Sequence, residues 1–242
     1  MYLTIDIGNS ATKLVLFEQD EIVFHKTVKT LNLTEIKRLV KEYSPEKSIL
    51  SSVARSSPAI ISFLKMNSGF VKLDARSKIP IRNRYQTPKT LGNDRLASVI
   101  GAASIFSGKN ALVIDAGTCI KYDFISASRQ YFGGSISPGL HMRYLALNTF
   151  TGKLPLVEPA QVRSLIGRNT RESILTGVEL GIENEKKGFI KSYQQKFHGL
   201  KMIMTGGDAA RFAKRLKLPI FAAPHLVNIG LKEILKFHDS KE

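Results

Sequence analysis

The sequence predicts an α/β protein made of two similar halves, each a mixed sheet flanked by helices, with a cleft between the halves. Three observations carry this. Short apolar runs bounded by turn residues alternate with stretches that are apolar at helical spacing. An Asp-x-Gly turn occurs once per half, as Asp6-Ile7-Gly8-Asn9-Ser10 and as Asp115-Ala116-Gly117-Thr118-Cys119. Each turn has an apolar run on both sides, so each reads as a β-hairpin with an aspartate at its mouth.

In order, Tyr2–Ile7, Thr12–Phe17 and Glu21–Val28 read as three strands. Leu33, Ile36, Leu39, Val40 and Tyr43 fall on one face of a helix that Ser44-Pro45 stops. Residues 47–53 form a short buried strand, Pro58 opens a helix carrying Ile60, Ile61 and Leu64, and 70–73 is a further strand. Residues 76–93 are polar, with Pro80, Pro88 and Gly92, and read as a loop long enough to be functional. A helix follows from Asp94 to about Ser107. Asp94 has two readings: an N-cap, or a carboxylate available as a general base.

Ser107-Gly108-Lys109-Asn110 divides the chain into 1–108 and 109–242. The second part opens with strands at 111–115, 119–126 and 130–136, then Gly133-Gly134-Ser135-Ile136-Ser137-Pro138-Gly139-Leu140 leads into a helix over 140–149. Asn169-Thr170 precedes a long helical run, with Thr170 either its cap or a hydroxyl for a ligand. Strand 200–204 ends in Thr205-Gly206-Gly207 before another helix, a plausible phosphate edge. A helix over 224–237 closes the chain.

Composition bounds the function. The chain has 43% hydrophobic and 23% charged residues, the balance of a soluble globular protein. Asp6 interrupts the first apolar run, so no signal peptide is expected, and no run approaches the ~20 residues of a membrane span. One cysteine, Cys119, rules out an internal disulfide and fits the reducing cytoplasm. The net charge of +16 attracts anions. The basic residues are spread along the chain without a nucleic-acid motif, so a nucleic-acid partner is disfavoured.

The doubled turn suits phosphate and metal handling. Glycine lets backbone approach a ligand and adopt positive φ, exposed N–H groups cradle anions, and a carboxylate beside them can hold Mg²⁺. Taken alone, each copy reads first as an ordinary hairpin with turn-forming residues; the recurrence in matching strand contexts brings the phosphate reading level with it.

These residues together resemble the superfamily of acetate and sugar kinases, Hsp70 and actin, with its two ribonuclease-H-like halves. Within it they are similar to type III pantothenate kinases. The resembling motifs are Asp6 to Ser10, Tyr85-x-x-Pro88-x-x-Leu91-Gly92-x-Asp94-Arg95, Asp115-x-Gly117-Thr118, Gly133 to Leu140, Asn169-Thr170-x-x-Ser173-Ile174-x-x-Gly177 and Thr205-Gly206-Gly207. They run in the family's order and span nearly the whole chain. The resemblance implies ATP-dependent phosphorylation of pantothenate, the first step of coenzyme A synthesis, by a cytoplasmic homodimer that uses Mg²⁺ and K⁺ or NH₄⁺.

Position by position, it implies that Asp6, Ile7, Gly8, Asn9, Ser10, Ala11, Thr12 and Lys13 wrap the ATP phosphates, with Asp6 near Mg²⁺, possibly through water, and Thr118 on ATP. It implies that Tyr85, Gly92, Asn93, Asp94, Arg95 and Thr170 hold pantothenate, with Asp94 the catalytic base, and that Asp115 binds the monovalent cation. One departure is plain: Cys119, Ile120 and Lys121 stand where the family usually has small and hydroxyl residues. Two other functions stay open, an accessory factor that binds nucleic acid in transcription and a kinase of another small alcohol.

Overall fold

The computed structural model describes residues 1–53, 56–162, 164–216 and 219–240, without the side chains of 213–216. The chain forms two compact units. The first holds Met1–Lys109, Ile125–Gly133 and His225–Glu242, and the second Asn110–Phe124 and Gly134–Pro224. The first unit thus takes in two stretches beyond residue 109.

The first unit begins with the hairpin β1 (Tyr2–Ile7) and β2 (Thr12–Glu18), followed by β3 (Glu21–Val28), α1 (Leu33–Tyr43), β4 (Lys47–Ser52), α2 (Pro58–Asn67) and β5 (Gly69–Lys72). The sheet order is β3-β2-β1-β4-β5. β1 pairs antiparallel with β2 and parallel with β4, and β4 pairs parallel with β5, so the sheet is mixed as the sequence predicts. Leu3, Ile5, Leu14 and Leu16 are buried with Ile36, Leu39, Ile60 and Leu64 of the two helices. Asn32 caps α1, its Oδ1 accepting from Glu35 N at 2.8 Å, and Pro58 sits in the first turn of α2.

The stretch expected as loop contains the two-residue strand β6 (Arg82–Asn83) and a 3₁₀ turn over Pro88–Thr90 before α3 (Asn93–Ile105). β6 was missed because two residues carry no alternation to read. The chain continues with β7 (Ala111–Ala116), β8 (Cys119–Ile125), β9 (Gln130–Pro138, its first four residues counted in the first unit), α4 (Leu140–Thr149), α5 (Thr170–Lys196), β10 (Lys201–Thr205), α6 (Ala209–Leu216) and β11 (Phe221–Ala222), and these strands make a second sheet. Strand order in this sheet is β11-β10-β7-β8-β9-β6. Read as β9-β8-β7-β10-β11 it is the order of the first sheet, so the doubled turn reflects a doubled topology. Its core gathers Leu112, Ile114, Ile120 and Tyr122 with Leu175, Val178 and Ile182 of α5.

The last helix, α7 (Leu226–Asp239), belongs to the first unit. It lies against α3 at two glycines: a Cβ on Gly230 would meet Ala97 O at 1.8 Å, and one on Gly101 would meet Leu226 O at 2.5 Å. Asn228 Nδ2 donates to Thr4 Oγ1 at 3.1 Å, which anchors α7 to β1.

Candidate active site

In the first unit the parallel strands β1, β4 and β5 end along one edge. Beyond them Val53 N donates to Ile7 O at 3.1 Å and Leu73 N to Leu50 O at 2.9 Å. The carboxyl edge of such a sheet is where α/β proteins bind ligands. The Asp6 hairpin turns here. Gly8 N donates to Ala11 O at 3.0 Å, leaving Asn9 and Ser10 exposed at the tip. Asp6 is 9% exposed and stands across the ladder from Lys13, with Thr12 buried opposite Ile7. Gly8 is not at positive φ. What needs glycine is the nearness of Ala11 O, 3.1 Å from where its Cβ would lie.

The start of α3 reaches the same edge, because Asn93 Nδ2 donates to Leu73 O at 2.9 Å. Gly92, not Asp94, holds the N-cap position, which excludes the capping reading of Asp94. Asp94 lies in the first turn, half-buried, and its carboxylate folds back over Gly92: a Cβ there would be 2.5 Å from Asp94 Oδ1. Arg95 is 6% exposed, with its guanidinium 5.6 Å from the centre of the Tyr85 ring. The Tyr85 ring stacks on Tyr131 at 6.2 Å, and Gly133, at φ +119°, leaves room where a Cβ would come within 2.9 Å of it. Of the expected substrate residues, Tyr85, Gly92, Asn93, Asp94 and Arg95 therefore form one cluster.

The second unit has its own strand-end edge. β7 and β10 run parallel, with Thr205 beside Asp115. Gly117 N donates to Cys119 O at 3.1 Å, so this turn is tighter than the first, with Thr118 exposed at its tip. Counting back two residues along each strand sets Asp115 against Lys121, as Asp6 is set against Lys13. Lys121 Nζ lies 2.6 Å from Asp115 Oδ2, with both side chains about five-sixths buried (15% and 16% exposed). Gly139 packs on the turn: its N–H donates to Thr118 O at 3.0 Å, and a Cβ would be 2.3 Å from Gly117 O. Gly206, at φ +96°, approaches Ala116 O in the same way, at 2.3 Å from its would-be Cβ.

Thr170 is exposed at the first position of α5. The cap is Asn169, whose Oδ1 accepts from Glu172 N at 2.9 Å. Thr170 lines a cavity of about 700 Å³ between α4 and α5 with Arg143, Leu147, Phe150, Ile174 and Val178.

Sequence reasoning missed the polar centre of this unit. Glu185, in mid-α5, accepts from Tyr122 Oη at 3.0 Å, Ser137 Oγ at 2.6 Å and Arg143 Nη2 at 2.5 Å. Burial opposes ionisation of Glu185, but the hydrogen bonds from Ser137 and Arg143 outweigh it and hold the carboxyl below its ordinary range. Burial, then the charge of Glu185, pushes the Tyr122 phenol well up. Amid Glu183, Lys186 and Lys187, Glu185 reads in the sequence as one more charge on a solvated helix face. Among the described residues, no group of three His, Cys, Asp or Glu side chains forms a metal site, and no helix is long and apolar enough to cross a membrane.

Two like-ordered mixed sheets, each opening with an Asp-x-Gly hairpin, define an α/β fold that is also found in solved kinase structures. Solved structures agree on the fold. A Baf family chain from Campylobacter jejuni is 21% identical with a TM-score of 0.62, covering 98% of this chain and 99% of that one. A glucokinase from an Antarctic psychrotroph is 14% identical with a TM-score of 0.53, covering 98% of each. The chain belongs to the type III pantothenate kinase family, whose sequence profile matches residues 2–192. It is 42% identical over 243 residues to a type III pantothenate kinase of Christiangramia forsetii, covering 100% of both chains. It is 40% identical over 242 residues to one of Bacteroides fragilis strain YCH46, again covering 100% of both.

Proposed function

We propose that this chain transfers the γ-phosphoryl group of ATP to the primary hydroxyl of pantothenate, giving 4′-phosphopantothenate and ADP for coenzyme A synthesis. The observation that carries the reading is the Asp94 carboxylate, folded over Gly92 at the edge where the Asp6 hairpin turns and beside the Arg95–Tyr85 pair. Family membership supports the choice of pantothenate over another alcohol.

The hydroxyl is a poor nucleophile. Asp94 orients it and accepts its proton as the oxygen bonds to the γ-phosphorus and the bond to the β-phosphate oxygen breaks. The turn from Asp6 to Lys13 supplies backbone donors and the Lys13 charge to the phosphates. Arg95 answers the pantothenate carboxylate, and the Tyr85 ring fixes the guanidinium plane. Thr118 and Thr170 serve as hydroxyl contacts to nucleotide and substrate. Mg²⁺, when bound with ATP, neutralises phosphate charge. Asp6, an oxygen donor at the strand end, suits it directly or through water. The donor set at Asp115 does not suit a monovalent cation, because an ammonium already lies against that carboxylate. We place the enzyme in the cytoplasm as a homodimer; the exposed Leu145 and Phe150 on and beside α4 suit such an interface.

The test is ADP release from ATP and Mg²⁺ with and without pantothenate. Release should depend on pantothenate, and Asp94→Asn should lower kcat by about 10²–10⁴-fold with an unchanged melting curve. Full turnover by a folded Asp94→Asn protein would remove the base from Asp94. Release that ignores pantothenate but follows another alcohol would change the substrate.

A further inference from the structure

We propose that the Lys121 ammonium is the built-in cation of the second hairpin, occupying the place at Asp115 that a potassium or ammonium ion would take. Phosphoryl transfer by this chain then needs no monovalent cation. The proposal rests on the kinase reading for its activity arm only.

The geometry is specific. The Gly117–Cys119 hydrogen bond fixes the register that puts Asp115 opposite Lys121. Nζ and Oδ2 are 2.6 Å apart, a charge-assisted contact, and both side chains are largely withdrawn from water. A monovalent cation and an ammonium carry the same charge and satisfy the same oxygen. A second cation beside Asp115 would meet the ammonium at close range in a poorly screened setting, where like charges repel strongly.

Asp115 is also structurally committed. It is the last residue but one of β7, beside Thr205, and a Cβ on Gly206 would be 2.6 Å from its Oδ1. Holding the carboxylate therefore holds the Gly117-Thr118 turn, on which Gly139 rests. Lys121 is in this sense a positioning residue, and the tether that keeps its charge in place is covalent. An ion must be bound from solution.

The experiment uses the full chain freed of K⁺ and NH₄⁺, with choline chloride holding ionic strength constant. Pantothenate-dependent ADP release by the unaltered protein should change by no more than about twofold as KCl replaces choline chloride. Lys121→Met, which keeps the apolar stem and removes the charge, should lose about tenfold or more without K⁺ and regain most of it with K⁺ or NH₄⁺. A second readout is independent of turnover. Tl⁺, a spectroscopic substitute for K⁺, should show no saturable binding to the unaltered protein, and KCl should not raise its melting temperature. Both effects should appear in Lys121→Met.

Steep K⁺ activation or saturable Tl⁺ binding in the unaltered protein overturns the proposal. So does a folded Lys121→Met protein that no cation rescues. If Lys121→Met does not fold, the two measurements on the unaltered protein still decide. If no salt gives pantothenate-dependent turnover, the functional reading falls, and the Tl⁺ and melting data still judge the ion pair.

Discussion

Gly92 separates function from stability at the scale of one residue. Its φ of −62° is open to any residue, and the nearest obstacle to a Cβ is the Asp94 carboxylate at 2.5 Å, the end of a flexible side chain. Gly92→Ala should therefore fold, with stability changed by about 1 kcal/mol or less. With Asp94 as the proposed base, it should still lower kcat by about 10²-fold, since moving that carboxylate by an ångström spoils the attack geometry. Paired melting and kinetic measurements check this; a large loss of melting temperature with normal kcat would contradict it. Gly206 and Gly207 make the opposite contrast. Gly206→Ala meets positive φ and the Ala116 carbonyl at 2.3 Å and should cost about 2–4 kcal/mol, whereas Gly207→Ala meets open space and should cost about 1 kcal/mol at most. Urea denaturation of the two variants measures the difference. The sequence shows both glycines as one Gly-Gly edge; which of them the backbone requires depends on Ala116 at the end of β7, the strand paired with β10, and is not a local property. For the same reason Asp94 reads locally as a cap, although Gly92 holds that position.

At the scale of elements, the helix pair α3 and α7 ties Asp94, the proposed base, to the last helix. Gly230→Ala would drive a Cβ to 1.8 Å from the Ala97 carbonyl, and no side-chain rotation relieves a backbone clash. A loss of about 3 kcal/mol or more in urea denaturation is expected. The N-terminal end of α7 carries a pH response. His225 precedes the helix, its ring centre 4.9 Å from that of His25. Burial, then the charges of His25 and Lys13, hold the His225 pKa below its ordinary 6.5. The unfolded chain therefore takes up this proton first. The stability from neutral His225 is fully present above pH 6.5 and is lost as pH falls through the lower folded value. Melting temperature should decline on acidification below pH 6.5, and His225→Gln should flatten that decline; an unchanged slope would exonerate His225. The hairpins, α1 and β4 were legible because their apolar patterns run for several residues. β6, the α3–α7 contact and the Glu185 hydrogen bonds were not, because each joins residues far apart in sequence whose local surroundings look ordinary.

For the molecule as a whole, the duplication was legible from two short turns, and the matching strand orders bear it out. The difference between the copies was legible only as a departure at Cys119, Ile120 and Lys121. Its meaning needed the register that sets Lys121 against Asp115. The net charge of +16 is likewise a property of the whole chain. Its basic residues are spread along the sequence, and the summed charge raises the local concentration of anions and speeds their encounter. The proposed reaction has an anion, ATP with Mg²⁺, as one substrate, so the field should act on capture and leave chemistry alone. Raising ionic strength with choline chloride from about 0.05 to 0.3 M shortens the Debye length from roughly 14 to 6 Å. kcat/KM for ATP should then fall several-fold while kcat holds steady. A fall confined to kcat would show that salt disturbs the folded enzyme instead. No change in either would show that the charge serves solubility alone, and the capture role would pass entirely to Lys13 and the backbone donors of the first hairpin.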